Sequence, residues 1–305
     1  MENTKDALRL QESLPTIHQL LKGNSRVVIL SHRGRPNGPD KKLSLRFALP
    51  FLKKGLGQPI TFLDKIPSNL PKNGRIFLLE NLRFWPGEEK NDLNFAEKLA
   101  KLGDRYVNDA FAVSHRKNAS VTQLPKLLPS SMGPLLKKEV QTLTKVMKNP
   151  KKPLVLVFGG AKMDDKIPVI KNLMAKTAKV LLGSGFVNSP SIVPKSPKIV
   201  VPIDWVGEKG KALDVGPLTV AAFTEELKKA KTIIWNGPVG LFENKKYATG
   251  SIKLAKVIAD SPAFTVIGGG ETTQLILQLK LEKKIDFLST GGGAMLELLA
   301  GGKLP

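Results

Sequence analysis

The sequence contains no cysteine and only three histidines, His18, His32 and His115. Disulfides, thiolate metal sites and cysteine nucleophiles are excluded together, and a histidine-built zinc site is disfavoured. A chain without cysteine also fits an intracellular enzyme, so a cytoplasmic protein is expected. No apolar run approaches the roughly 20 residues that span a bilayer, and residues 1–10 are polar with no signal-peptide core. Aromatic residues are 6% of the chain, few for the stacking platforms of single-strand binders, and no nucleic-acid-binding signature is present. Acidic residues are scarce as well: 26 Asp and Glu face 48 Lys and Arg, a net charge of +22. Such an excess attracts polyanions, among them nucleotides and phosphorylated metabolites. The lysines are scattered in pairs such as Lys41–Lys42, Lys137–Lys138 and Lys228–Lys229. With no basic arm or tail, that pattern describes a solvated surface better than a dedicated nucleic-acid groove.

What the chain does have is strands that run into glycine-rich loops. At 305 residues and 41% hydrophobic content it can bury a full core, and its length suggests two domains. The stretch KPLVLVFGGAKMDDKI, residues 152–167, holds an apolar run, Leu154 to Phe158, a break at Gly159 and Gly160, and a helical pattern expected over Ile167 to Val180. A strand, a glycine turn and a helix start make an anion site, because free backbone N–H groups and the positive end of the helix dipole face the turn. If the helix begins near Ala161, Lys162 and Lys166 lie on one helical face and both reach one phosphate chain. A tight turn with two solvated lysines is the plainer alternative.

The same grammar recurs along the chain. A helix is expected over Ala7 to Leu21, started or kinked at Pro15, then a strand at Arg26 to Leu30 that ends in SHRGRPNG. Further helices are expected at Ser44 to Leu52 and Phe95 to Leu102, and strands at Ile60 to Leu63, Arg75 to Glu80 and Arg105 to Val107. In the second half, strands at Val180 to Leu182, Ile199 to Val201, Thr232 to Trp235, Phe264 to Ile267 and Asp286 to Leu288 lead to GSGF, PIDW, NGPVGLFE, GGGETT and STGGGA. Strands alternating with helices predict parallel sheets covered on both faces, with ligands at the carboxyl ends of the strands. Neither GxxxxGK[ST] nor a GxGxxG after the first strand occurs, which argues against a P-loop or a dinucleotide fold.

The strings SHRGRP, LLENLRFWPGEEKND, YVNDAFAVSHR, GGAKMDDKI, KTIIWNGPVGLFE, GGGET and STGGGAMLELLAG stand in the order found in phosphoglycerate kinases, and from Arg9 to Pro305 the chain resembles an abbreviated member of that family. The resemblance implies an α/β fold of two doubly wound parallel-sheet domains joined by a hinge helix. Residues 1–140 would bind the glycerate, 141–290 the nucleotide, and 291–305 would return to the hinge. It implies reversible phosphoryl transfer between 1,3-bisphosphoglycerate and ADP, giving 3-phosphoglycerate and ATP, with magnesium held on the nucleotide. That chemistry needs no strong base, since a carboxyl group of pKa about 4 is already ionised at neutral pH. Positioning and cationic groups suffice, in keeping with a chain rich in Lys and Arg and poor in histidine.

By the same resemblance Arg9 and Lys162 would steady the transferring group, and His32, Arg33, Gly34, Arg35, Arg116 and Lys152 would serve the phosphorylated substrate. Lys166, Gly183, Gly185, Gly216, Asn236, Glu243, Gly269, Gly270, Glu271, Thr272 and Gly292 would contact the nucleotide, with Glu271 reaching its magnesium. A monomer is implied, with no membrane or specific nucleic-acid partner. Five departures from the family's pattern stand out. The chain starts after the family's opening strand, which supplies an aspartate and an asparagine to the glycerate site, and it stops at KLP, short of the usual tail. Lys152 replaces an arginine, a point charge for a fork, and Glu271 replaces an aspartate at the magnesium position, where little deviation from octahedral geometry is tolerated. The segment from Phe186 to Asp204 is short. A homologue that binds nucleotide without turnover, and a basic nucleic-acid-binding protein on the same scaffold, therefore remain alternatives at this point.

Overall fold

The structure, a computed structural model, describes residues 4–304. Its contacts divide into two compact units, one built on Asp6–Lys138 and the other on Glu139–Leu304, and the chain passes between them inside helix Pro134–Lys148.

In the first unit strands β1 (Val27–Ile29), β2 (Thr61–Leu63) and β3 (Ile76–Leu79) form a parallel sheet in the order β1-β3-β2. The central strand β3 is buried at every position, and its alternation serves two cores. Ile76 and Leu78 join Ile17, Leu45, Leu52 and Leu56 on one face, while Phe77 and Leu79 join Leu82, Phe95, Leu99 and Leu124 on the other. Burial on both faces is what makes a strand read as an unbroken apolar run. A second pair, β4 (Tyr106–Asn108) and β5 (Ser130–Met132), is also parallel.

The second unit is organised on six parallel strands: β6 (Leu154–Phe158), β7 (Thr177–Leu182), β8 (Ile199–Val200), β11 (Thr232–Asn236), β12 (Phe264–Gly268) and β13 (Phe287–Leu288), with β9 (Trp205–Glu208) and β10 (Lys211–Val215) set apart as an antiparallel ribbon. The sheet order β13-β12-β11-β6-β7-β8 runs outward from β6 in both directions, so the succession of strands reverses between β6 and β11 while the strands stay parallel. That is the topological switch point, where open α/β sheets bind ligands beyond their carboxyl ends. On β6, Val155 and Val157 pack with Ile233, Trp235 and Phe223, and the alternate residues Leu154, Leu156 and Phe158 are fully buried as well.

Several expectations are corrected. The helix after Lys166 covers only Ile167–Leu173, not the stretch to Val180, because Thr177–Leu182 pairs with β6 and that ladder overrides the helical period. No helix begins near Ala161: a single 3-10 turn, Asp164–Lys166, precedes Ile167. Pro15 does not start its helix, which runs from Thr4 to Leu20 with the proline inside it. The segment at Ser44 is a 3-10 turn, Leu45–Ala48, followed by helix Leu49–Leu56. Strand β5 and the β9–β10 ribbon were not anticipated. The ribbon turns at Lys209 and Gly210, both at positive φ (50° and 74°), the geometry of a tight hairpin in which lysine stands where asparagine is usual.

Candidate anion-binding sites

At the carboxyl edge of the second unit's sheet the loops approach backbone to backbone. A Cβ on Gly159 would lie 2.0 Å from the carbonyl oxygen of Pro238, and one on Gly237, at φ 89°, would lie 2.0 Å from that of Gly159. The Gly160 amide donates to Pro238 O at 2.8 Å and the Ser184 amide to Val239 O at 2.8 Å. Gly183 packs on Val239 and Gly185 beside Gly160 and Met163, while Gly292 meets the Cα of Gly269. Helices Gly270–Gln278 and Gly292–Leu299 open on this edge with no side chain capping their first amides. Uncapped amides at two helix starts, brought together by glycines, make this crest a candidate anion-binding site. Asn236 is buried there, its Nδ2 without a hydrogen-bond partner among the described residues, 3.3 Å from where a Cβ on Gly269 would sit.

Lys162 and Lys166 differ sharply in surroundings. Lys162 is exposed, whereas Lys166 is buried and donates from Nζ to the carbonyl oxygen of Lys162 at 2.6 Å. Burial lowers the Lys166 pKa, Asp165 and Glu271 oppose that fall, and Lys162 adds to it. Glu271, on the first turn of its helix, points Oε2 to within 3.3 Å of a Cβ placed on Gly160. Lys162, Lys166, Asp164 and Asp165 thus lie on the segment after β6, and the Glu271 carboxylate faces it from the neighbouring helix. Among the described residues no group of three His, Cys, Asp or Glu could hold a metal alone. The Glu271 carboxylate beside a phosphate-type site instead fits magnesium that arrives on a nucleotide, an ion normally held by one or two carboxylates, phosphates and water.

Other residues expected at the nucleotide play different local parts. Thr272 is fully buried, and its hydroxyl accepts the Gly237 amide at 2.7 Å, tying the β11 loop to the β12 loop. Gly216 is the N-cap of helix Pro217–Lys229, but Asp204 occupies that helix start, accepting from the amides of Leu218 and Thr219 at 2.9 and 2.7 Å. Glu243 is exposed on the loop after β11. Lys152 is exposed and immediately precedes Pro153 and β6, at the amino end of the strand. The five residues of β6 separate it from the crest by about 17 Å at roughly 3.3 Å per residue, and the structure does not bring it to the residues gathered there.

In the first unit, basic residues surround His32. Burial, then the charges of Arg83, Arg9 and Arg116, push its pKa down to about 3. Arg83 feels burial first, then Arg116, with Glu89 opposing and Arg35 adding, and its pKa falls as well. The Arg83 Nε lies 3.4 Å from Glu89 and its Nη1 donates to the Gly34 carbonyl at 2.5 Å. Arg116 carries a buried Nε without a hydrogen-bond partner among the described residues. Arg9, Arg35, Arg83, Arg116 and His32 therefore form one electropositive cluster, of which sequence reasoning named all but Arg83. Its position inside LLENLRFW was visible, yet nothing local distinguishes it from a surface arginine.

That cluster stands on buried acids. Glu80 accepts the amides of Leu45 and Asn81 at 2.8 and 2.7 Å and the Ser44 hydroxyl at 2.7 Å. Asn81 donates to the carbonyls of Arg33 and Leu43, which seats the 32–35 loop, where Gly34 turns at φ 65°. Glu88 accepts the Ser120 amide and hydroxyl at 3.0 and 2.6 Å, anchoring the segment that follows Arg116; burial raises its pKa against those bonds. Arg33 is engaged elsewhere, 3.3 Å from Asp6, donating to Lys42 O and stacked 4.1 Å from the Phe47 ring centroid.

Comparison with known proteins identifies the family. The family profile described as Phosphoglycerate kinase matches residues 1–192 and 186–302. The chain is 36% identical over 354 residues to the phosphoglycerate kinase of Deinococcus radiodurans, covering 99% of this chain and 86% of the relative. It is 38% identical over 354 residues to that of Dictyoglomus turgidum, covering 98% and 89%. Among solved structures it resembles phosphoglycerate kinase from Coxiella burnetii, at TM-score 0.80 and 32% identity, and the enzyme from Pyrococcus horikoshii OT3, at 0.83 and 30%; each match covers 98% of this chain and 89% of the other.

Proposed function

The chain belongs to the phosphoglycerate kinase family, a two-domain α/β phosphotransferase of glycolysis, and we propose that its first unit holds the glycerate phosphate and its second the nucleotide. The observation that carries this division is the cluster of Arg9, Arg35, Arg83 and Arg116 around His32. So many cations raise one another's energy unless an anion neutralises them, and forked guanidinium groups suit phosphate and carboxylate oxygens. Gly34 serves the same substrate by turning the loop, whereas Arg33 is taken by Asp6 and the Lys42 carbonyl and Lys152 belongs to the second unit.

On the nucleotide side, Lys166 and the amides at Gly270 and Gly292 hold phosphate oxygens. Asn236 offers its buried Nδ2 there, and Gly183, Gly185, Gly216, Glu243, Gly269 and Thr272 line the remainder. Glu271 would hold the nucleotide's magnesium, which when bound supplies neutralisation of phosphate charge. The exposed Lys162 is free to follow the phosphoryl group, and Arg9 steadies it from the glycerate side. In the direction of ATP formation the bond from the acyl oxygen to phosphorus breaks, a bond to the ADP oxygen forms, and the carboxylate leaves already ionised, so no residue need move a proton. A cytoplasmic monomer is the state in which we expect the enzyme to act; no helix among the described residues is long and apolar enough to cross a membrane.

A coupled assay of ATP-dependent 3-phosphoglycerate consumption tests this reading. Lys162→Ala should lower turnover by roughly 10² or more while MgADP affinity changes little. Equal loss of both would reassign that lysine to ground-state binding, and a wild-type chain without transfer would defeat the reading.

A further inference from the structure

Strand β10 carries a buried acid one residue before its end. Asp214 is 1% exposed. Its Oδ1 accepts the Val215 amide at 2.9 Å and its Oδ2 accepts the Gly250 amide at 2.7 Å. Space for it exists because two neighbours lack side chains: a Cβ on Gly240 would lie 2.0 Å from Oδ1, and one on Gly250 2.6 Å from it. One carboxylate thus touches the end of β10, the loop after β11 and the first turn of helix Thr249–Ala259.

The same three elements are stitched beside it. The β10–β9 register shifts between Ala212 and Asp214, and the carbonyl of the intervening Leu213 accepts the Leu241 amide at 2.8 Å. The Gly240 amide donates to the Ser251 hydroxyl at 3.1 Å. Two residues beyond Asp214 the chain reaches Gly216, and three beyond Gly240 it reaches Glu243. We propose that Asp214 is a positioning residue for the nucleotide site, setting Gly216 and Glu243 relative to one another through its grip on Val215, Gly240 and Gly250.

The inference rests on the nucleotide roles proposed above for Gly216 and Glu243. Burial raises the Asp214 pKa to about 6, against its two amide bonds. A buried charge is kept at a cost that an apolar residue would avoid, which points to a role in geometry rather than in stability alone. Asp214→Asn has nearly the same size but replaces one acceptor with a donor that faces another N–H.

The test is calorimetric titration of the full chain at pH 8 with MgADP and, separately, with 3-phosphoglycerate. For Asp214→Asn the MgADP Kd should rise about tenfold while the 3-phosphoglycerate Kd stays within about twofold. Unchanged MgADP affinity overturns the proposal, and so does parallel weakening of both ligands, which marks general destabilisation. Should the variant not fold, Ser251→Ala, which removes only the acceptor of the Gly240 amide, decides instead. A rise of about threefold for MgADP alone supports the proposal, and no change overturns it. Parallel turnover assays keep the two readings apart: a wild type that binds MgADP but transfers no phosphoryl group defeats the enzymatic reading and leaves the Asp214 comparison intact.

Discussion

At the scale of single residues, His32 and Arg83 show how burial and like charge set behaviour. The folded pKa of His32 is depressed from 6.5 to about 3, so the unfolded chain takes up this proton first. Its contribution to stability is complete above about 6.5 and is lost as pH falls through 6.5 toward 3. The His32 Cε1 proton resonance of the unliganded protein should therefore stay flat between pH 8 and 5; a midpoint near 6.5 would remove it from the arginine cluster. Arg83 holds Gly34 with one nitrogen and Glu89 with another, a division that a lysine ammonium cannot reproduce. Arg83→Lys should raise the KM for 3-phosphoglycerate by about tenfold and leave that for the nucleotide unchanged.

At the scale of elements, helix starts divide into those the protein caps and those it leaves open. Helix Pro217–Lys229 is closed by Asp204, whose carboxylate accepts two amides and the Thr219 hydroxyl. Burial works against its ionised form, yet these bonds win and its pKa is lowered. Asp204→Ala should cost about 1 kcal/mol in a denaturant titration near neutral pH. Because the folded pKa is depressed, the difference from wild type should shrink as pH falls below about 4 and through that folded value. An equal deficit at pH 3 and pH 7 would show that packing, not capping, was lost. By contrast, helices Gly270–Gln278 and Gly292–Leu299 start on glycine without a side-chain cap, as anion sites do.

Across the whole molecule, the net charge of +22 acts on ligands that are all anionic. Exposed charges are screened over about 8 Å at physiological ionic strength, buried ones much less. Raising salt from about 20 to 200 mM should therefore raise the KM of both 3-phosphoglycerate and nucleotide several-fold with kcat nearly constant. A salt-independent KM would mean that the scattered lysines contribute nothing to capture and that the clustered arginines act alone.

The sequence by itself determined the alternation of apolar runs with glycine loops, the placing of those loops at strand ends, and a poverty in histidine that agrees with the base-free phosphoryl transfer implied by its motifs' resemblance to phosphoglycerate kinases. None of these needs a contact between distant residues: a strand's period and a turn's need for glycine are read within a dozen residues, and composition is a simple count. Only the tertiary structure decided that the helix at Ile167 stops at Leu173, that Lys166 is buried while Lys162 is exposed, that Arg83 joins His32, and that Asp214 sits against Gly240 and Gly250. Each of these depends on a partner distant along the chain, such as β6 against β7, Gly34 for Arg83 or Gly250 for Asp214. The contact that decides the conformation forms only when the chain has closed on itself, so no local pattern records it.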